Sequence, residues 1–182
     1  MNQEAQVVLR VNTLKITREQ LKNRLAEDNI HTHIVKGYPD ALILDERTNV
    51  FRNPAFKEGM FEVQDASSQL VAAALAVEPG MRVIDACAGG KSLHIAALMQ
   101  NKGKVLSMDV EEWKLQQTKL RARRDGVAII ERKVIEGSKT IKRMKETADR
   151  LLLDVPCSGL GVLRRNPDTK WKLSEESIEK VR

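Results

Sequence analysis

Val83-Ile84-Asp85-Ala86-Cys87-Ala88-Gly89-Gly90-Lys91-Ser92 reads as a short buried strand, a glycine turn and the start of a helix near Lys91. Val83 and Ile84 are β-branched, and Asp85 stands at the carboxyl end of the strand. Gly89 and Gly90 permit a sharp turn and a close approach of backbone to ligand. A helix over Ser92 to Asn101 would aim its N-terminal N–H groups at that turn, where an anionic group is favoured. In open α/β sheets a ligand sits at such a strand end. Taken alone, the stretch is equally compatible with a β-turn-α junction that binds nothing.

The next segments favour a ligand. Lys104 to Met108 reads as a second strand and is followed by Asp109. An acid at this distance beyond a glycine turn can accept both hydroxyls of a ribose. Asp109 also suits the start of a helix, since Glu111 and Glu112 follow it and Trp113 to Arg124 is helical in pattern. The two roles are compatible, and a nucleoside-bearing cofactor is expected. Glu136 follows a third strand and is placed to face the base end of that cofactor. Leu151 to Leu153 is a buried strand ending in Asp154, with Pro156, Cys157 and Gly159 just beyond. The loop Arg164-Arg165-Asn166-Pro167-Asp168 carries paired arginines suited to phosphate contacts. The plainer readings are a small buried side chain for Cys157 and a solvated turn for the arginines.

From Met81 onward, strands near 82–86, 104–109, 128–135 and 149–154 alternate with helical segments, which predicts a parallel sheet. Before it, 5–12 reads as a strand, and Thr17 with Gln20 forms a capping box for a helix reaching Asn29. Leu14, Leu21 and Leu25 fit one face of that helix. His31 to Val35 and Ala41 to Leu44 read as strands around the turn Gly37-Tyr38-Pro39-Asp40. Asn53 to Gly59 is a connector, Met60 to Gln64 is extended, and Asp65 caps a helix running to Ala76. The expected division is a small α+β subdomain over residues 1–60 and a sheet domain over 61–182. The basic run from Arg121 to Lys145 reads as solvated surface. His31 and His33 share a strand face without an acidic or cysteine cluster, so no metal site is expected.

Composition bounds the class. Hydrophobic content of 42% with only 3% aromatics predicts an aliphatic core. A net charge of +6 suits a polyanionic partner. No apolar run reaches membrane-span length, and the first residues lack a signal-peptide pattern. Two cysteines without framework spacing suggest a reducing, cytoplasmic setting.

Three motifs in order support a family resemblance. They are Val63-Gln64-Asp65-Ala66-Ser67-Ser68, then Asp85-Ala86-Cys87-Ala88 with Gly89-Gly90-Lys91, then Asp154-Val155-Pro156-Cys157-Ser158-Gly159 with Arg164-Arg165-Asn166-Pro167-Asp168. Together they resemble the Sun/Fmu-type RNA cytosine-5 methyltransferases, closest to the bacterial 16S ribosomal RNA members, over nearly the whole chain. The resemblance implies a Rossmann-like class I methyltransferase sheet, here with about four parallel strands, preceded by an α+β RNA-binding subdomain that includes Arg10. It implies S-adenosyl-L-methionine as cofactor. Cys87, Ala88, Gly89, Gly90 and Lys91 would line its methionine and ribose side, Asp109 would take the ribose hydroxyls, and Glu136 would lie near the adenine. Asp154 would border both cofactor and cytosine. The implied partner is RNA, with 16S rRNA as the expected substrate and Arg10, Arg164 and Arg165 as contacts; a monomer without metal or membrane association is expected.

The chemistry explains the thiol. A thiolate adding to C6 of cytosine makes C5 electron-rich enough to attack a methyl sulfonium, and an acid near N3, Asp154, balances the charge. In the family the attacking cysteine lies in a later Thr-Cys motif, and the Pro-Cys thiol, here Cys157, helps release product. This sequence ends at Arg182 without that motif, so an incomplete, inactive chain is expected. Cys157 as nucleophile is one alternative, and an RNA-binding module without activity is another. A dehydrogenase is disfavoured, because hydride transfer has no use for the thiol. One further departure concerns the glycine turn. The family's turn reads Asp-x-Cys-Ala-x-x-Gly-Gly-Lys, and two residues are missing here after Ala88. The intact flanks lead us to expect a break in the chain between Ala88 and Gly89, stretching that Cα–Cα distance toward ~10 Å.

Overall fold

Strands that carry apolar residues on both faces need cover on both sides, and the two halves of the chain supply it differently. A computed structural model describes residues 5–155, 157, 159–172, 174, 176 and 179. The sequence also suggests a helix starting at Ser174; it lies for the most part outside the described residues, as do Pro156 and Ser158.

The first half runs β1 (Val8–Val11), α1 (Arg18–Glu27), β2 (Thr32–His33), β3 (Ala41–Leu44), α2 (Pro54–Lys57) and β4 (Phe61–Val63). The strands form one antiparallel sheet in the order β2-β3-β1-β4. The Thr17 capping box forms as the sequence predicts, with Thr17 and Gln20 exchanging side-chain and backbone bonds. Leu21 and Leu25 are fully buried from α1 against Leu9, Val11, Leu42 and Phe61. Each such side chain contributes roughly 1.5–3 kcal/mol. Leu14 lies in the turn before α1, not on its face. β2 is shorter than expected, because only Thr32 and His33 find partners on β3. β4, drawn from the opening of the second expected segment, pairs with β1 and completes the first sheet.

The second half runs α3 (Ala66–Ala74), β5 (Arg82–Asp85), α4 (Gly90–Leu98), β6 (Lys104–Asp109), α5 (Glu112–Asp125), β7 (Ile130–Val134), α6 (Ser138–Lys142), β8 (Arg150–Leu152) and α7 (Thr169–Lys172). Its four strands are all parallel in the order β7-β6-β5-β8, as the alternation predicts. Val83 and Val105 sit at the centre, covered by Ala72 from α3, by Ile95 and Ala96 from α4, and by Met99 just after it. Small residues on α3 let it pack closely on α4 and the sheet.

The two sheets meet through polar side chains. Arg10 and Glu62 are cross-strand neighbours on β1 and β4, and both are buried. Glu62 takes a bidentate pair from Arg121 of α5 at 2.8 and 3.2 Å, and a further bond from Arg124. Arg124 also reaches Asp125 at 2.9 Å. Asn12 donates to the carbonyls of Gly59 and Asp125 at 2.7 and 2.8 Å, bracing the loop before β4 against the end of α5. Gly59 is required there twice over: its φ is +69°, and a Cβ would lie 2.3 Å from the Arg124 carbonyl oxygen. Gly59→Ala is expected to cost roughly 2–4 kcal/mol in chemical denaturation, combining left-handed strain with a backbone clash. Gly37→Ala, at φ +91° with open space around it, should cost only the strain, roughly 1–2 kcal/mol. Equal losses at the two sites would show that the sheets are not packed as described.

Candidate active site at the carboxyl edge of the parallel sheet

β5, β6 and β8 are neighbours, so the residues at their carboxyl ends share one edge. Asp85 and Asp109 close β5 and β6, and Asp154 lies two residues beyond β8. A cleft of about 710 Å³ opens there. Its walls include Cys87 to Lys91, Asp109, Lys114, Arg121, Ile135 and Asp154. The sequence-predicted residues Cys87, Ala88, Gly89, Gly90, Lys91, Asp109 and Asp154 are thus brought together. Glu136 is exposed one residue beyond Ile135 and is not part of the wall. Cys157 is exposed and also outside the wall.

The turn itself is continuous. The Ala88 N–H donates to the Met108 carbonyl at 2.9 Å, and Gly89 immediately precedes α4. A Cβ on Gly89 would lie 4.0 Å from the Cys87 carbonyl oxygen, too near for the ~10 Å separation expected after Ala88, so that break is absent. Gly89 has φ 172°, an extended conformation open to any residue. Gly90 brings the turn close to α5: a Cβ there would sit 3.1 Å from the Arg121 guanidinium, which would have to shift slightly.

Asp85 lies beneath the turn with no exposed surface. One carboxylate oxygen accepts the Cys87 N–H at 3.2 Å, and the other accepts the Ser92 hydroxyl at 2.6 Å. Ser92 continues to Ser107 on β6 at 2.8 Å. Asp85 is therefore a positioning residue for the turn. Burial pushes its carboxyl up to about 6, although both hydrogen bonds and Lys91 pull the other way. Cys87, half-buried, has its thiol pushed up by burial and by Asp85, Asp109 and Asp154, which keeps it protonated near neutral pH.

Asp109 is almost buried and holds the chain at the start of α5. Its Oδ1 accepts the Glu111 N–H at 2.9 Å at the start of α5, and Lys114 approaches both oxygens at 3.3 and 3.4 Å. Lys91 pairs with Asp154 at the cleft mouth. Arg10 is placed differently from the expectation of an RNA contact. It is 2% exposed, and it donates to Gln64 at 2.5 Å and to the Gly90 carbonyl at 2.6 Å. Burial lowers its pKa to about 10, so it stays charged, facing Glu62 and Asp125. The signal available in the sequence was a charge at matching positions of two apolar strands, Arg10 within VLRV and Glu62 within FEV. A second groove, about 700 Å³, lies between the first sheet and the arginine loop. Tyr38, Asp65, Ser67, Arg164 and Arg165 line it, and Arg165 pairs with Asp65. His33 bonds Asp45 at 2.5 Å, and no cluster able to hold a metal ion occurs among the described residues.

A profile for the 16S rRNA methyltransferase RsmB/F matches residues 72–182. The chain belongs to this family. A companion profile, the RsmF/B-like ferredoxin-like domain, matches residues 1–51. A Synechocystis protein named "Probable ribosomal RNA small subunit methyltransferase B" is 42% identical over 97% of this chain and 41% of its own length. A methyltransferase homologue from Pyrococcus horikoshii has 33% identity and a TM-score of 0.80, over 90% of this chain and 54% of that one. NSun6 from the same organism, solved with SFG, shares the fold at a TM-score of 0.86 and 20% identity, over 97% of this chain and 68% of that one. The chain spans about two fifths of the length of the curated relative. Among the described residues, no helix is long and apolar enough to cross a membrane.

The sign of the Asp85 shift gives a pH test. Its folded pKa of about 6 lies above its ordinary 3.8, so the native state binds the proton more tightly. The ionised carboxylate is a cost fully present above pH 6 and relieved below pH 4. The stability of Asp85→Asn relative to the parent should therefore rise between pH 4 and pH 7, by about 2–3 kcal/mol. A pH-independent difference in denaturation midpoints would contradict the buried, ionisable placement.

Proposed function

We propose that the chain forms the cofactor-binding and RNA-docking part of an S-adenosyl-L-methionine-dependent RNA (cytosine-5-)-methyltransferase, with 16S rRNA as substrate. The observation that carries this reading is the convergence of Asp109, Asp154 and the Cys87–Lys91 turn on one cleft at adjacent strand ends. The donor set suits the cofactor. Asp109, already held by the Glu111 N–H and Lys114, keeps acceptor capacity for ribose hydroxyls. Val110 and Ile135 offer apolar surface for a purine, and the exposed Glu136 follows Ile135 directly. Gly89 leaves open space where a side chain would intrude.

S-adenosylmethionine, when bound, supplies an activated methyl group on a sulfonium. The chain's own residues orient and protonate. Asp154, at the cleft mouth beside Lys91, is placed to meet the N3 edge of a cytosine. The sequence holds two cysteines. Cys87 is sheltered among three carboxylates that disfavour its thiolate. Cys157 takes the product-release role, and the attacking thiolate is not among this chain's residues. Arg164 and Arg165, on the groove beside the first sheet, meet the RNA backbone.

Titration calorimetry with S-adenosylhomocysteine is expected to show binding that weakens at least about tenfold in Asp109→Ala. Incubation of the same chain with 16S rRNA and S-adenosylmethionine should yield no 5-methylcytosine. Absence of binding, or an Asp109→Ala variant that binds like its parent, would overturn the cofactor reading. Methyl transfer that disappears in Cys157→Ser would instead make Cys157 the attacking thiol.

A further inference from the structure

Arg121 has no role in the reading so far beyond its bond to Glu62, yet it forms part of the wall of the cofactor cleft, beside the glycine turn. Among the described residues, three cations line that cleft: Lys91, Lys114 and Arg121. Lys91 is paired with Asp154, and Lys114 lies 3.3 Å from Asp109. Both therefore neutralise carboxylates of the cleft itself. Arg121 differs. It reaches Glu62 through Nε and one terminal nitrogen, at 3.2 and 2.8 Å, which uses two of its five N–H donors. Glu62 is also bonded by Arg124, so the carboxylate is shared between two guanidinium groups. Arg121 thus retains positive charge and unused donors, fixed in orientation by a buried anchor, with its side chain about one third exposed.

Its position relative to the turn is close. A Cβ on Gly90 would lie 3.1 Å from a terminal nitrogen of Arg121. The Gly90 carbonyl is tethered from the other sheet by Arg10 at 2.6 Å. The turn between β5 and α4 is short and offers few backbone N–H groups to wrap an anion. Arg121 stands beside the turn with the N–H donors that Glu62 does not take, and these make up for them.

We propose that Arg121 is a specificity-determining residue that binds the α-carboxylate of the cofactor's amino-acid end. This rests on the cofactor reading above. The contact is ionic and involves no bond making or breaking. It predicts that the cleft distinguishes ligands bearing that carboxylate from ligands lacking it.

The test compares two ligands on the same protein, S-adenosylhomocysteine and 5′-methylthioadenosine, the second of which lacks the amino-acid carboxylate. The quantity read is the ratio of their dissociation constants by calorimetry. In Arg121→Gln the preference for S-adenosylhomocysteine is expected to fall about tenfold, as for loss of a hydrogen bond to a charged group, with methylthioadenosine affinity nearly unchanged. Arg121→Lys, which keeps the charge but loses the fork, should reduce the preference about threefold and serves if the glutamine variant does not fold. An unchanged ratio in either folded variant, or equal weakening of both ligands, would overturn the proposal. A parent protein that binds both ligands equally would overturn it while leaving the cofactor reading intact. A parent that binds neither would overturn both.

Discussion

A buried carboxylate that faces three guanidinium groups joins the two sheets. Glu62 sits on an antiparallel sheet, Arg121 and Arg124 come from a helix of the parallel sheet, and Arg10 is the cross-strand neighbour of Glu62. Charges out of water are tolerated only when paired and hydrogen-bonded, so each member constrains where the others lie. Glu62 illustrates the balance: burial alone would raise its pKa, but Arg121 and Arg124 bring it below the usual carboxylate value. The cluster also reaches the cleft, because Arg10 holds Gln64 and the Gly90 carbonyl while Arg121 stands in the wall. The first sheet thus shapes the site from behind, through residues that touch the turn.

This arrangement explains what could and could not be foreseen from residues alone. The parallel sheet, the carboxyl-edge acids and the Thr17 capping box follow from local rules: β-branched runs, alternating strands and helices, and a short polar side chain before a helix. The placement of Asp85, Asp109 and Asp154 follows from strand order in the same way. Arg10 does not. A cation in a strand of an RNA-modifying family suggests a surface contact. Its burial depends on Glu62, 52 residues away in sequence, and on a helix from the other half of the chain. The basic run behaves likewise. Arg121 and Arg124 read as solvated helix surface, because nothing local marks which face of α5 meets the first sheet.

The glycine turn shows the complementary case, in which a family pattern suggested too much. The intact flanking motif favours a break after Ala88, whereas Gly89 lies near Cys87, a Cβ there falling 4.0 Å from the Cys87 carbonyl oxygen. Asp85 supports this short turn from below by accepting from Cys87 and Ser92, and Arg10 supports it from the other sheet. Support from two directions lets a short loop hold a defined shape with Gly89 in extended backbone.

Hydrogen–deuterium exchange with and without S-adenosylhomocysteine measures the central claim directly, that one cleft is built jointly by the glycine turn and the docked first sheet. The account predicts slowed exchange on ligand binding at residues 86–92 and, in the same experiment, at 61–68 around β4 and the start of α3. Protection confined to the parallel sheet, with 61–68 unchanged, would contradict it.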